Sequence, residues 1–285
     1  MKVAVIGPNG QLGSDLVEVF TNNCHEVSEL NHDIISVERY DSVVACLTTI
    51  KPAVILNTAA YHNVRKCEEN PETAFAVNAL GAFNVARVAA ELNAVNVFFS
   101  TDYVFDGAKR APYVETDLPN PLNVYAISKL AAEYLTMDYS PKSYVIRVSG
   151  LYGRIPCRAK GDNFITTMVR LAQARPEVRV VQDEFLTPTP TLEIAQKTSR
   201  LLETGAYGLY HLTCEGSCSW YEFAREIFST LNLATPLYPV NGTEFPQVVK
   251  RPTYSVLANE RFNSLEIGQM PHWAEALRTF LSKVC

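Results

Sequence analysis

The composition of this chain of 285 residues describes an ordinary globular protein, with 47% hydrophobic and 19% charged residues. Its length allows one large domain, or a main domain with a smaller partner. The net charge of −5 argues against nucleic acid as a partner, because binding to the phosphate backbone needs clustered Lys and Arg.

Neither the N-terminal stretch nor the apolar runs of the chain suggest export or a membrane span. The apolar run in MKVAVIGPNG is too short for a signal peptide, and no run approaches the roughly 18 apolar residues of a membrane span. The cysteines are odd in number and irregularly spaced, which predicts reduced thiols in the cytoplasm: Cys24, Cys46, Cys67, Cys157, Cys214, Cys218 and Cys285. Cys214 and Cys218 have no second Cys or His pair at a ligand-like spacing, so zinc is not expected.

The first half alternates short apolar runs with longer amphipathic segments. The predicted strands are KVAVIG, HEVSEL, AVILNTAA, NVFFSTDYVF and SYVIRVSGLYG, and the predicted helices cover 11–22, 37–50, 71–92 and 123–138. Short apolar runs are typical of buried parallel strands, and the segments between them suit crossover helices. Residues 1–153 therefore predict an α/β, Rossmann-like doubly wound parallel sheet that binds a dinucleotide.

The second half, residues 154–285, has a looser rhythm. DNFITTMVRLAQ and TLEIAQKTSRLLE predict helices, GLYHLTC predicts a strand, and SWYEFAREIFSTLN predicts a helix with a capping box formed by Ser219 and Glu222. The stretch ATPLYPVNGTEFPQVVKRPTYS is rich in Pro and turn residues and predicts a loop. We expect a smaller mixed α/β lobe that mainly binds substrate, with some segments returning to the main sheet.

A glycine motif follows the first predicted strand. Gly7, Gly10 and Gly13 have a G-x-x-G-x-x-G spacing that chance supplies about 0.03 times in such a chain. Gly7 allows a tight turn, Gly10 lets the backbone approach a pyrophosphate, and Gly13 lets the helix pack close to the strand. The motif predicts a phosphate site, and an ordinary glycine-rich turn is the alternative.

The end of the second strand indicates which dinucleotide is used. The stretch SELNHDIIS offers Glu29, Asn31, His32 and Asp33, and none of its residues is Arg or Lys. A basic residue there would suit the 2′-phosphate of NADP, so the sequence leans toward NAD or toward use of both.

Tyr125 and Lys129 form the second candidate site. Their spacing puts them on one face of a helix, but chance supplies about 0.5 such pairs in a chain like this one. Ser100, Thr101 and Asp102 end the fourth predicted strand, where ligands bind in open α/β sheets. Alone they suit a helix cap or turn. Their position between the glycine motif and the Tyr–Lys pair favours a reaction site.

The motifs together carry a resemblance over essentially the whole chain. GPNGQLG, NTAAYHNVRKCEENPETAFAVNA, STDYVFDG, NPLNVYAISKLAAE, DNFITTMVRLA and KRPTYSVLAN resemble the dTDP-4-dehydrorhamnose reductase family of the extended short-chain dehydrogenases/reductases. The resemblance implies that NADPH or NADH reduces the C4 keto group of a nucleotide-activated 6-deoxy-4-keto sugar. In this role Tyr125 donates a proton to the carbonyl oxygen and Thr101 hydrogen-bonds it. Lys129 would hold the nicotinamide ribose hydroxyls and, together with the cationic oxidised nicotinamide, lower the pKa of Tyr125.

The same resemblance assigns the remaining site residues. Those implied for the cofactor are Gly7, Gly10, Gln11, Leu12, Gly13, Ala59, Ala60, Tyr61, Asn78 and Ser100, with Asn31, Ile35 and Ser36 near the adenosine. Those implied for the substrate are Thr101, Asp102, Tyr103, Asn163 and Arg65. Tyr103 could equally pack inside the sheet edge, and Asn163 could equally cap the following helix.

Three positions depart from the family pattern. Arg65 stands where the family usually has an acidic residue, Gly150 where it has Trp, and Leu186 where it has Gly. These departures would change the charge and the apolar wall of the pocket, so the nucleotide-sugar could differ. Arg65 could equally be a solvated loop residue.

Two further expectations concern partners and metals. Asp15 and Glu193 occupy plausible carboxylate positions for magnesium, but surface carboxylates are common and we predict no metal. A homodimer is left open.

Two alternative functions remain: a reductase of another nucleotide-sugar, and a non-catalytic subunit that binds dinucleotide and regulates an enzyme. Retention of Thr101, Tyr125 and Lys129 argues against such a subunit, which needs no proton donor.

Overall fold

The computed structural model describes residues 1–156, 161–245 and 248–284. Two of the cysteines predicted to be reduced, Cys157 and Cys285, lie outside these ranges. The strands of the described residues are β1 (Lys2–Ile6), β2 (Glu26–Leu30), β3 (Val54–Asn57), β4 (Val95–Thr101), β5 (Ser143–Val148), β6 (Leu151–Tyr152), β7 (Val178–Val181), β8 (Phe185–Leu186), β9 (Thr189–Pro190), β10 (Gly208–His211), β11 (Cys218–Ser219) and β12 (Leu237–Val240).

The helices alternate with the strands through the first half of the chain. They are α1 (Gln11–Asn22), α2 (Tyr40–Ile50), α3 (Val64–Glu69), α4 (Pro71–Phe75), α5 (Gly81–Glu91), α6 (Val124–Tyr139), α7 (Phe164–Ala174), α8 (Thr191–Thr204), α9 (Trp220–Thr230), α10 (Glu260–Asn263) and α11 (Trp273–Val284). A π-helical turn, Ala76–Leu80, joins α4 to α5, and a 3-10 turn, Asp102–Val104, follows β4.

A six-stranded parallel sheet forms the centre of the molecule, in the order β10-β5-β4-β3-β1-β2. Alternate residues of β1 point to opposite faces: Val3 packs in one core cluster with Leu16 of α1, and Ala4 packs in another with Val85 of α5. Both faces are buried, which explains why the strands read as short continuous apolar runs. The doubly wound fold predicted from the sequence is confirmed.

Segments of the second half return to this sheet. Strand β10 pairs with the outer edge of β5, and α8 packs against α1 on one face. The remaining strands form three short pairs, β6 with β9, β7 with β12 and β8 with β11. Helix α9 begins at the Ser219 cap with Glu222 completing the capping box, as the sequence predicts.

A ribbon strand and a short helix are among the local differences between the structure and the sequence prediction. The loop predicted over residues 234–255 contains β12, which pairs in parallel with β7 as a two-stranded ribbon. Each strand of such a ribbon needs hydrogen bonds on one side only, so Pro239 is tolerated within β12. Helix α3 was not predicted. The Asn63 side chain starts it by accepting a hydrogen bond from the Lys66 amide.

One helical stretch, Pro71–Glu91, is long and apolar enough by length and composition alone to cross a membrane. However, 56% of it is buried inside the protein, and α5 within it packs on the sheet and on α2. This pattern is that of a core helix in a doubly wound fold.

Candidate active site

A cavity of about 930 Å³ opens at the carboxyl ends of the parallel strands. One wall comes from the sheet and the turn before α1, and the opposite wall comes from the second half of the chain. The sheet side contributes Gly10, Ser100, Thr101, Tyr125 and Lys129, and the facing side contributes residues such as Phe164, Leu186 and Trp220. The strand order reverses between β1 and β3, which is where open α/β sheets bind their ligands.

The three glycines form a tight turn between β1 and α1. Gly7 has a φ of +82°, which favours glycine, and a Cβ there would lie 2.7 Å from Thr58 Oγ1. A Cβ on Gly13 would lie 2.1 Å from the Gly7 carbonyl oxygen, whereas one on Gly10 would meet only that oxygen, at 3.5 Å. Glycine at position 13 thus lets the helix pack on the turn, and the small Gly10 leaves backbone exposed to the cavity.

The same turn holds an unsatisfied polar group. Gln11 lines the cavity, and its side-chain nitrogen Nε2 is buried with no hydrogen-bond partner. Buried donors are normally paired, so this nitrogen fits an acceptor supplied by a bound molecule. The glycine cradle and the orphaned amide together fit the pyrophosphate of a dinucleotide at the start of α1.

The residues implied near the adenosine lie after β2, outside the cavity lining. The Asn31 side chain accepts a hydrogen bond from the Asp33 amide, and the Ser36 amide donates to Ser42 Oγ. The Ile35 side chain is buried in the core cluster with Val43. The apolar atoms of Ile35 thus complete the packing of α2. The part of Asn31, Ile35 and Ser36 in cofactor binding stays a prediction.

The loop after β3 is fixed from within the protein. The Tyr61 amide donates to Asn78 Oδ1 at 2.7 Å, and Asn78 Nδ2 donates to the Tyr61 carbonyl at 3.0 Å and to Ser128 Oγ at 2.9 Å. Asn78 lies on the π-helical turn and is buried. It therefore clamps the loop that carries Ala59 and Ala60, and among these residues Ala60 lines the cavity. The part of Asn78 in cofactor binding stays a prediction.

Thr101, Tyr125 and Lys129 lie together at the centre of the cavity wall. Thr101 ends β4, and Tyr125 and Lys129 lie one turn apart on α6, which begins at the Asn123 cap. The Tyr125 hydroxyl lies close enough to Thr101 for that side chain to affect its pKa. The Lys129 ammonium is buried, donates to the Phe99 carbonyl at 2.6 Å and lies 3.9 Å from the centre of the Phe98 ring.

Burial dominates the electrostatics of Tyr125 in the protein alone. Burial raises the pKa of Tyr125 above its ordinary value, and the Asp102 carboxylate adds to the rise while the Thr101 side chain opposes it. Burial also lowers the pKa of Lys129 to about 7, with the Glu133 carboxylate acting in the opposite direction. In the protein alone the phenol therefore holds its proton at neutral pH. The expected lowering of its pKa by Lys129 together with an oxidised nicotinamide stays a prediction.

Both carboxylate oxygens of Asp102 accept hydrogen bonds from hydroxyl groups of the protein. Its Oδ1 accepts from Thr101 Oγ1 at 3.1 Å, and its Oδ2 accepts from Ser149 Oγ at 2.7 Å and Ser255 Oγ at 2.5 Å. Burial raises the pKa of Asp102, and these hydrogen bonds oppose the rise. The carboxylate therefore orients Thr101 and joins β4 and β5 to the second half of the chain. Its assignment as a substrate contact stays a prediction, although the residue lines the cavity.

Tyr103 and Asn163 both reach the cavity. The Tyr103 ring packs edge-on against Tyr125, with centroids 6.4 Å apart, and burial raises its pKa to about 12. Asn163 caps α7 by accepting from the Thr166 amide, and its Nδ2 donates to the Gly153 carbonyl at 3.1 Å. Its capping role is confirmed. A contact of either residue with substrate stays a prediction.

Arg65 lies on α3 at the rim of the cavity, not in a loop. Its Nε is 2.9 Å from Glu69 Oε1, and 66% of its side chain is exposed. Other cations along the lining are Arg170, Arg179 and Arg251. Three of these arginines are paired with carboxylates, Arg65 with Glu69, Arg170 with Asp162 and Arg179 with Glu244.

Two of the departures from the family pattern touch each other. Gly150 has a φ of +56°, and a Cβ there would lie 2.8 Å from Leu186 Cδ1. Leu186 is buried and lines the cavity beside Gly150. The sequence singled out both positions but not their contact. The apolar wall that position 150 lacks is supplied at this point by Leu186.

An aromatic cluster on the far wall was missed in the sequence. Phe164 stacks on Phe223 with centroids 5.2 Å apart and packs against Trp220 at 4.6 Å, and all three residues line the cavity. In the sequence these residues are indistinguishable from the apolar faces of α7 and α9. Only the packing of the two helices brings the rings to the site.

No group of three or more His, Cys, Asp or Glu that could hold a metal occurs among the described residues. Cys214 and Cys218 are buried free thiols, and burial raises the pKa of each. Asp15 accepts hydrogen bonds from Arg154 at 3.1 Å and from Thr191 at 2.6 Å. This pairing gives the Asp15 carboxylate a structural partner on each oxygen.

Comparison with known proteins agrees with this geometry. The family model described as RmlD substrate binding domain matches residues 1–285. The spore coat polysaccharide biosynthesis protein SpsK of Bacillus subtilis (strain 168) is 35% identical over 283 residues, 99% of this chain and 97% of that protein. The crystal structure of a dTDP-4-dehydrorhamnose reductase from Clostridium acetobutylicum is 36% identical, covering 100% of this chain and 99% of the other with a TM-score of 0.94. A dTDP-4-dehydrorhamnose reductase from Bacillus anthracis, crystallised with NADP, is 35% identical, covering 99% of each chain with a TM-score of 0.94.

Proposed function

Because this chain belongs to the RmlD substrate binding domain family, we propose that it is an NADPH- or NADH-dependent reductase of a dTDP-activated 6-deoxy-4-keto sugar. The substrate best supported is dTDP-4-dehydro-L-rhamnose, which would be reduced to dTDP-L-rhamnose. The two similar crystal structures are of proteins named dTDP-4-dehydrorhamnose reductase, which supports this choice. The observation that carries the proposal is that Thr101, Tyr125 and Lys129 line the same cavity as the glycine turn.

The chain's own residues account for the proton and for binding. Gly10, Gln11 and the start of α1 would hold the pyrophosphate, and Lys129 would reach the nicotinamide ribose. When bound, the nicotinamide supplies a hydride to the C4 carbon. Tyr125 holds a proton at neutral pH and donates it to the developing C4 alkoxide. Thr101 would stabilise the alkoxide by turning its hydroxyl proton from Asp102 Oδ1 toward the substrate oxygen.

The substrate would enter from the open side of the cavity. The cations along the lining suit the diphosphate of a nucleotide-sugar, and the cluster of Phe164, Trp220 and Phe223 offers apolar faces for a ring. The division into a dinucleotide-binding part, residues 1–153, and a substrate lobe, residues 154–285, is part of this proposal. It is supported by the position of the cavity between them.

The test is an assay of the purified protein with NADPH or NADH and a panel of nucleotide-activated 4-keto sugars. We expect loss of absorbance at the nicotinamide band with dTDP-4-dehydro-L-rhamnose, and a product with a C4 hydroxyl. No loss with any member of the panel would rule out the reductase. The same panel with each dinucleotide compares their specificity constants.

A second candidate, reduction of a different nucleotide-activated 4-keto sugar, is favoured by the contact between Gly150 and Leu186. A pocket walled by Leu186 presents a different shape from one walled by an aromatic ring. The variant Leu186→Gly would then change the order of preference across the panel, whereas Ile155→Gly, at an exposed position outside the cavity lining, would leave it unchanged. An unchanged order in both variants would exclude a role of Leu186 in specificity.

A further inference from the structure

A buried ion pair lies directly behind the Tyr125–Lys129 face of α6. Glu133 follows Lys129 by one helical turn and contacts Arg147 of β5: Arg147 Nε lies 2.9 Å from Glu133 Oε1, and Nη2 lies 2.7 Å from Oε2. The two side chains are 0% and 3% exposed, respectively. The contact is bidentate, the geometry that makes such pairs strong and specific.

The Glu133 carboxylate also holds Ser100, a residue of the cavity wall. Ser100 Oγ donates its proton to Glu133 Oε1 at 2.5 Å. Because that proton is committed to Glu133, the Ser100 oxygen presents only lone pairs to the cavity. Glu133 thereby decides whether Ser100 can donate a hydrogen bond to a bound molecule or only accept one.

Arg147 is held in turn by a neutral histidine. His211 Nδ1 faces the carbonyls of Tyr113 and Ala258, both at 3.1 Å, so Nδ1 carries the proton and Nε2 accepts from Arg147 Nη1 at 3.4 Å. Burial, with the Arg147 charge, lowers the pKa of His211 to about 3. The histidine thus stays uncharged at neutral pH, and the Arg147 charge is directed at Glu133.

Among the groups around Lys129, the Glu133 carboxylate supplies the negative charge that offsets the ammonium. From its own helix Lys129 has Tyr125 on one side and Glu133 on the other. Strand β4 gives the Phe99 carbonyl and the neutral Ser100, and β5 gives Arg147, whose guanidinium is paired. The Asp102 charge is engaged by hydroxyls and acts on Tyr125. The helices packed on α6 contribute the uncharged Cys67 thiol and the Asn78 amide to this region.

Buried ion pairs are expensive to form, and an apolar pair of the same volume often serves stability as well. Retaining Glu133 and Arg147 beside a buried ammonium therefore calls for a role besides stability. Burial alone would discharge Lys129, because the charged form loses its hydration. A fixed carboxylate one turn away opposes that loss and does so at the position where the ammonium is needed.

We propose that Glu133, locked in place by Arg147, is a positioning residue that keeps Lys129 cationic and turns the Ser100 oxygen toward the cavity. The inference deepens the proposed function and rests on it for its catalytic meaning. Its test does not, because the charge of Lys129 is measurable in the protein without substrate or dinucleotide.

The experiment is an NMR titration of protein labelled with [ε-¹³C]lysine, in which the Lys129 signal is assigned by its disappearance in Lys129→Met. We expect Glu133→Gln to lower the pKa of Lys129 by about one unit or more. At pH 7 the ammonium fraction would then fall from about half to about a tenth. The double variant Glu133→Gln/Arg147→Met removes both charges and guards against misfolding caused by an unpaired Arg147. It should lower the pKa of Lys129 by less than Glu133→Gln does, because loss of the Arg147 cation acts in the opposite direction.

A matched control removes an ion pair elsewhere. Glu226→Gln on α9 breaks the surface contact with Arg278 of α11 and should leave the titration of Lys129 unchanged. A second readout is the dissociation constant of NADPH, which should begin to rise at lower pH in Glu133→Gln than in the wild type. A Lys129 pKa that is unchanged in the folded double variant would overturn the proposal, whether or not the protein proves to be a reductase.

Discussion

The substitution Gly13→Ala tests how far the stability of the fold depends on the close packing of α1 against the glycine turn. The added Cβ would lie 2.1 Å from the Gly7 carbonyl oxygen, 2.9 Å from its carbon and 3.0 Å from Pro8 Cα, all of which are backbone atoms. Overpacking against such atoms costs about 3 kcal/mol, and the better helix propensity of Ala returns about 1 kcal/mol. The net loss of about 2 kcal/mol predicts a melting temperature lower by roughly 4 to 8 °C.

Gly10→Ala is the matched variant for that prediction. Its Cβ would meet only the Gly7 carbonyl oxygen, at an ordinary 3.5 Å, so the loss is the difference between Gly and Ala at an N-cap, about 0.5 kcal/mol. We expect a nearly unchanged melting temperature but weaker binding of NADPH, because Gly10 lines the cavity. The assays are thermal unfolding by circular dichroism and titration of NADPH by fluorescence. Equal melting temperatures for the two variants would refute the steric argument.

Two further predictions concern pH. Asp102→Asn removes a charge that raises the pKa of Tyr125, so the alkaline fall of the turnover rate should move to lower pH; an unmoved limb would contradict the coupling. His211 has a pKa lowered to about 3, below its unfolded value near 6.5, so its contribution to stability is present above pH 6.5 and is lost as the pH falls toward 3. His211→Gln should reduce the change of the melting temperature with pH over that range. The control His32→Gln, at an exposed position, should leave that change as it is in the wild type.

Local patterns in the sequence were enough to predict most of the fold. Apolar runs and helical periodicity located the strands of the first half, and the cap at Ser219 marked the start of α9. The rule that ligands bind at the carboxyl ends of parallel strands grouped Thr101 with the Tyr125–Lys129 pair, and all three residues line one cavity. These signals depend on neighbours along the chain, which a single sequence shows.

What the sequence could not show depends on distant partners. Asp102 accepts hydrogen bonds from Ser149 and from Ser255, 47 and 153 residues away, and no local pattern marks such pairs. The contact of Leu186 with position 150 is likewise a matter of packing. The direction of the pKa shift at Tyr125 follows from burial, which depends on the whole fold; charge alone suggested the opposite sign.

The central claim is that Tyr125 supplies the proton in a reduction carried out beside the glycine turn. The most direct test is the turnover number of Tyr125→Phe at saturating NADPH and dTDP-4-dehydro-L-rhamnose. A general acid contributes about 10² to 10⁴ in rate, so turnover should fall by at least about 10² while the melting temperature stays near that of the wild type. A variant that keeps turnover within about tenfold of the wild type would contradict the account.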